Sequence, residues 1–432
     1  MKSALADSPN AVSQVLRSRF ERIAIALWTS PAASALTAMG IYTFITGAFG
    51  PVGLSQSRVA YFVYLADAFL HGHLELLSVP AMHLDLSFYQ GHYYPYWPPF
   101  PALLFMPLVA IFGTGISDAP LTLLSAGLNV WLVSVLLTAL DERGVARLTA
   151  AKRAWLTAFF AFGTVHVTLA SNPSVWFTSQ VIGFSLLCGA YVAALRLPAR
   201  WAPVAAGALI GCTLLTRDSM VLAGIWVGWY LLKTRDFTDR YSLPRVILGL
   251  LLPVTAAAAL LALYNYLRFG KSLETGLAYH LMNPVFRDNF SQYGVFNIHY
   301  LSSNLYYDFL YVPYLKLLSG RLDLTFFYGG SLFLLSPAFF LSIFGVLGRW
   351  RPYGWALVAS CVAGIAPSLV VTSPGVVQFG PRYSLDIAVP LLIATAIGAE
   401  RVSGRAVRWL CLVSVAMYLP GAVFLRATGV IG

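Results

Sequence analysis

The sequence predicts an all-α polytopic membrane protein: about eleven transmembrane helices in one domain over residues 32–432, preceded by a cytoplasmic N-terminal segment at 1–31. Three observations predict it. Of the 432 residues, 58% are hydrophobic and only 10% charged, against roughly 25% charged in a soluble domain, so lipid must solvate most of the chain. Apolar runs near the roughly 20 residues that a helix needs to cross a bilayer recur from Ala32 onward. Lys and Arg gather in alternate loops, as expected when positively charged loops resist translocation.

Taken in order, the N-terminal segment carries Lys2, Arg17, Arg19 and Arg22 without a cleavable-looking apolar core, so the first span is expected to remain as an anchor. The spans are expected at 32–49, 119–140, 154–170, 175–195, 202–215, 220–232, 246–267, 327–347, 355–372, 384–399 and 406–425. The run 100–112 is too short for an ordinary span and is punctuated by Pro98, Pro99, Pro101, Pro107 and Gly113. If it crossed, the side of every later loop would invert. Read instead as re-entrant or interfacial, it leaves the basic clusters on the cytoplasmic side. These are Arg143, Arg147, Lys152 and Arg153; Arg196 and Arg200; Lys233, Arg235, Arg240 and Arg245; Arg349 and Arg351; and Arg401, Arg405 and Arg408. Two large outer loops follow from this map, 50–118 and 268–325, with interfacial helices expected in them, among them an amphipathic surface helix at 59–70.

The net charge of +11 is thus accounted for by topology, and no Gly-rich nucleotide loop or basic-aromatic motif points to nucleic acid. Cys188, Cys212, Cys361 and Cys411 lie in apolar runs without a CxxC pair, which argues for packing rather than a disulfide framework or zinc site.

Only acids on the outer side are eligible for chemistry there: Asp67, Glu75, Asp85, Asp118, Asp218, Glu274, Asp288, Asp308, Asp323 and Asp386. Asp85 is the leading catalytic base. Its loop, His83-Leu-Asp85-Leu-Ser-Phe-Tyr89-Gln-Gly91-His92-Tyr93-Tyr94-Pro95-Tyr96-Trp97-Pro98-Pro99, is aromatic and stiff and feeds the proline-rich run. His83, His92 and Tyr93 are substrate-binding candidates beside it. Asp67, on the expected surface helix, is second, with a solvated face as the alternative. His71, His73, His83 and Glu75 match no zinc spacing such as HExxH, so no metal is assigned. Arg217 and Asp218 interrupt apolar sequence and form either a functional pair or an internal salt bridge. Arg382 suits a lipid phosphate, with Asp386 or a headgroup as alternative partners. Arg268 and Lys271 either bind phosphate or snorkel to the interface. The tyrosines between 293 and 314 form an interfacial belt or a sugar-stacking surface.

Four stretches together resemble the polyprenyl-phosphate-sugar-dependent membrane glycosyltransferases of the GT-C fold, and among them the bacterial protein O-mannosyltransferase and aminoarabinose-transferase group. They are Asp85-Leu…Gly91-His-Tyr93-Tyr…Pro98-Pro99…Phe112-Gly113; Gly207…Gly211…Leu215-Thr-Arg217; Asn265-Tyr-Leu-Arg-Phe269-Gly270…Gly276; and Gly380-Pro-Arg382-Tyr383…Pro390. The resemblance implies a GT-C-like bundle in the cell (inner) membrane with a catalytic aspartate in the first outer loop. It also implies a polyprenyl-phosphate sugar as donor, with no further cofactor, and a glycan, lipid or protein as acceptor. This chain departs from the family just after the first span. An acid is usual there, but the chain reads Gly53-Leu-Ser-Gln56-Ser-Arg58, with no acid before Asp67. The rival readings are a transporter or flippase of lipid-linked substrates, for which broken helices near the midplane are the mark, and a non-catalytic assembly partner.

Overall fold

Within hydrocarbon a backbone must satisfy its own hydrogen bonds, and the apolar runs of this chain accordingly wind into helices. The computed structural model describes residues 22–50, 53–80, 82–318, 321–324, 329–348, 354–373 and 375–429. The expected N-terminal segment up to residue 21, the start of the expected span 327–347, and Arg349 and Arg351 lie outside the described residues.

Six described helices are long and apolar enough to cross a membrane: Pro31–Phe49, Ala119–Glu142, Val175–Arg196, Ser242–Phe269, Arg382–Arg401 and Gly404–Thr428. The chain is an integral membrane protein built almost entirely of helices. Close backbone approach, the usual means of joining helices in lipid, ties Ala202–Leu214 to Ser242–Phe269. A Cβ at Gly207 would collide with the Gly249 carbonyl, and one at Gly249 would meet the Pro203 ring at 2.7 Å.

Several expected spans are discontinuous. The run 154–170 is two helices, Ala150–Phe162 and Val165–Ala170. They part at Gly163, whose carbonyl accepts from Ser336 Oγ at 2.7 Å, and the hydroxyl of Thr164 caps the second helix. The run 220–232 begins as a tight 3-10 segment, Asp218–Gly224, before the helix Ile225–Thr234. Arg382–Ile387 is likewise a 3-10 turn ahead of Ala388–Arg401.

The helix expected on the surface at 59–70 is a correction. Tyr61–Leu70 is a helix, but Tyr61, Phe62, Val63, Leu65, Ala66 and Ala68 are buried, because apolar residues occupy every side of it. All of these but Ala68 form a second, smaller core with Phe105 and Val109 of the 13-residue helix Phe100–Phe112. That short helix spans about 20 Å, less than a bilayer core, and stops at Gly113 (φ 73°).

The loop expected on the outer side at 50–118 contains a hairpin, Leu86–Tyr89 paired antiparallel with His92–Pro95. Its two-residue turn, Gln90-Gly91, has φ 49° and 86°, the left-handed pair that suits strand twist. The loop expected on the outer side at 268–325 is tied down at two places. Leu281 N donates to Leu86 O at 2.8 Å, while Asn297 N donates to Val370 O and Thr372 N to Val295 O, both at 2.8 Å. The loop thereby lies across one end of the bundle.

The opposite end carries the basic loops. Val175–Arg196, about 33 Å long, begins beside the outer loops and ends at Arg196, which pairs with Glu142. Arg153 pairs with Asp141 nearby, and Lys152 Nζ donates to the Glu400 carbonyl at 3.3 Å.

Candidate active site

Asp85 stands at the foot of the hairpin with φ 63°, a left-handed conformation uncommon outside glycine. Neighbouring backbone bonds hold it there: Asp85 N donates to Leu281 O at 3.2 Å, and Leu86 N to His83 O at 3.2 Å. Such strain persists where the surroundings over-determine it, and functional sites are the common setting. Its Oδ2 accepts from Trp176 Nε1 at 2.9 Å, and its Oδ1 lies 2.9 Å from His280 Nε2. Two of the carboxylate's roughly four lone-pair positions therefore remain. The Asp85 side chain is 20% exposed and that of His280 only 5%, so the carboxylate faces open space and the imidazole backs it.

That space is a cavity of about 700 Å³ lined by both outer loops and by helix ends. Leu261 lines it about two turns, roughly 12 Å, inside the end of Ser242–Phe269, so the cavity reaches from the polar loops into membrane depth. Leu214, Leu222 and Pro367 continue the apolar wall, while Met282, Asn283 and Phe286 of the second outer loop cover it.

Arg217 and Arg382 line the same cavity. Arg217 does not pair with its neighbour Asp218. Its Nε donates to both oxygens of Asp386 at 2.8 Å, and Gln180 Nε2 and Ser219 Oγ complete that carboxylate at 3.1 Å each. Asp386 is 1% exposed, so Arg217→Ala would strand a buried charge and should cost about 3–5 kcal/mol. Thermal unfolding in detergent checks this: the double substitution Arg217→Ala, Asp386→Asn should recover most of the loss, and a single variant as stable as wild type would refute it. Because Asp386 is occupied, Arg382 does not pair with it. Arg382 instead donates one Nη2 bond to Tyr383 Oη at 3.1 Å and stacks over that ring.

Tyr96 joins the two halves of the site. Its ring stacks on Trp97 at 4.0 Å and lies 4.9 Å from His280. Burial first, then the charge of Asp85, hold its hydroxyl well above the usual phenol range, with Arg382 and Arg217 acting the other way. The hydroxyl is therefore a proton donor that feels both Asp85 and the two arginines.

The remaining sequence candidates lie elsewhere. Asp67 does not line the cavity; it sits 3.5 Å from His71 Nδ1. His83 and Tyr93 face each other on the hairpin's outer side, their rings 5.0 Å apart, and His92 is exposed at the turn. Lys271 is exposed and outside the cavity. Arg268 is buried, donating to Pro95 O and Asn265 Oδ1 at 2.8 Å each and stacking 3.8 Å from the Tyr264 ring centroid, so it clamps the hairpin to the Ser242–Phe269 helix. At the position of the missing acid, Arg58 is exposed and lines the cavity.

Sequence reasoning passed over His280, Trp176 and Tyr96. Nothing around Tyr279-His280 marks that histidine, because its partner lies 195 residues away. The Gln90-Gly91 turn signal between alternating residues was available and would have placed Asp85 at a hairpin foot.

These features define the class: the chain has the GT-C fold. It is similar to ArnT from Cupriavidus metallidurans in the apo state, with 14% identity and a TM-score of 0.51 over 86% of this chain and 60% of ArnT. For ArnT bound to undecaprenyl phosphate the values are 14% and 0.50, over 92% and 74%. The apo oligosaccharyltransferase of Archaeoglobus fulgidus aligns with 14% identity and a TM-score of 0.48, over 91% of this chain and 56% of its own length. The likeness is one of fold, and the chain spans little more than half of that oligosaccharyltransferase. No family model and no curated protein sequence matches the chain.

Proposed function

We propose that this protein transfers a sugar from a polyprenyl-phosphate-linked donor to an acceptor hydroxyl on the non-cytoplasmic face of the cell membrane. One observation carries the reading: a cavity reaching into membrane depth holds a carboxylate on strained backbone and three arginines, with a neutral phenol that feels Asp85, Arg217 and Arg382. The fold shared with an ArnT that binds undecaprenyl phosphate supports a polyprenyl phosphate as the carrier. The basic loops at the far end of the bundle support an outward-facing cavity.

In this scheme the acceptor oxygen attacks the anomeric carbon as the bond from that carbon to the phosphate oxygen breaks, with inversion. Asp85 takes the acceptor's proton, held in line by His280 and Trp176. The electron pair leaves on the polyprenyl phosphate, whose second negative charge is met by Arg382 and by the terminal amino groups of Arg217. Tyr96 donates to the donor between these poles. Asp85 fills the role that the absent acid after the first span plays in the family, and Arg58 adds positive charge on that side.

The test gives purified protein in lipid vesicles a panel of radiolabelled polyprenyl-phosphate sugars with glycan, lipid and peptide acceptors. Label should pass to an acceptor. Movement of the labelled lipid between leaflets without transfer would overturn the reading in favour of a flippase.

A further inference from the structure

One buried carboxyl beside the site has no part in the scheme above. Asp308 sits in the wide turn Tyr306–Leu310, is 1% exposed, and neither of its oxygens has a hydrogen-bond partner among the described residues. Burial pushes its carboxyl up to about 7, and the nearby Arg382 guanidinium pulls the other way. Arg382 is also incompletely used: its Nε is buried without a hydrogen-bond partner among the described residues. Arg382 lines the cavity and Asp308 does not. Two complementary buried groups thus feel each other's charge without bonding. Among the other groups near Asp308 is the Tyr418 hydroxyl of Gly404–Thr428, which lies beside Ser336. Leu332–Leu335, packed against the turn, brings nothing titratable, and Tyr306 and Tyr307 belong to the turn itself.

We propose that Asp308 is a positioning residue that sets how much of the Arg382 charge a phosphate in the cavity meets, so that anion binding is coupled to proton uptake by Asp308. With its proton, Asp308 leaves the guanidinium to the phosphate; ionised, it draws on that charge. The inference rests on the glycosyl-transfer reading for the presence of a phosphate at Arg382.

The direction follows from linkage. A bound anion offsets the guanidinium and raises the proton affinity of Asp308, and by reciprocity protonated Asp308 raises the affinity for the anion. Affinity is therefore greatest while the carboxyl is neutral and falls as pH rises through about 7. A coupling of about one pKa unit corresponds to about a tenfold change.

The probe is farnesyl methyl phosphodiester, whose single charge stays constant across the range, bound to the full chain in lipid nanodiscs. Wild type should lose about tenfold in affinity between about pH 5.5 and about pH 8.5, and Asp308→Asn should keep its low-pH affinity throughout. Every other group of the site is common to both proteins, so the difference between the two profiles belongs to Asp308. Asp308→Leu serves as a second neutral replacement if the amide does not fold. A flat wild-type profile, or a variant with the wild-type slope, overturns the coupling. If Arg382→Ala binds the diester as tightly as wild type, the phosphate reading of the cavity falls and the coupling falls with it. If Arg382→Ala is weakened while Asp308→Asn keeps the wild-type slope, the coupling alone is overturned.

Discussion

Asp85→Asn is expected to lower sugar transfer by roughly 10²–10⁴-fold, the usual contribution of a positioned base, while donor binding stays near wild type. The amide matches the carboxylate in shape, and asparagine is among the residues that best tolerate a left-handed backbone, so the φ of 63° is no obstacle to folding. One oxygen still accepts from Trp176 or His280, and the imidazole can change tautomer to accept from the new amino group. What is lost is the more exposed proton acceptor of the pair, since the His280 side chain is 5% exposed against 20% for Asp85. Single-turnover transfer measured alongside donor binding separates the outcomes. Transfer within about tenfold of wild type, or a loss that tracks donor binding, would remove Asp85 from the role of base.

Arg382→Ala should reduce kcat/KM for the donor by about 10²–10³-fold, the scale seen when one preorganised donor to a developing anion is removed. Thermal stability should change little, since among the described residues the side chain makes one hydrogen bond, to Tyr383, and bonds to no buried acid. Asp308, left without the guanidinium, simply keeps its proton. Lysine should restore only part of the activity, because a point charge does not reproduce a planar fork. Arg217 offers the contrast. Its guanidinium is committed to Asp386, so its loss strikes stability first. Donor kinetics and unfolding measured on both alanine variants should therefore separate the two arginines, and unchanged donor kinetics in Arg382→Ala would contradict the assignment.

Much of the architecture is written along the chain itself. Apolar length and composition mark the segments that lipid must solvate, and long helices such as Val175–Arg196 and Ser242–Phe269 form within a few residues of their expected ends. Proline at the start and glycine at the stop delimit Phe100–Phe112, and the basic loops gather at one end as their spacing implies. Those properties are local: they depend on each segment's own side chains and on the solvent around it. Breaks at Gly163 and before Ile225 were less legible, because a helix yields there to contacts from other segments. The same holds, more strongly, for the site. Arg217, Arg268 and Arg382 look alike in sequence, yet one lines the cavity bound to Asp386, one clamps the hairpin, and one lines the cavity with no carboxylate bonded to it among the described residues. Asp85 acquires its histidine and tryptophan from segments 195 and 91 residues away. Sequence alone determined which segments enter the membrane and which loops stay polar. Only the packing of distant segments decided which charges are spent on one another and which remain for a substrate.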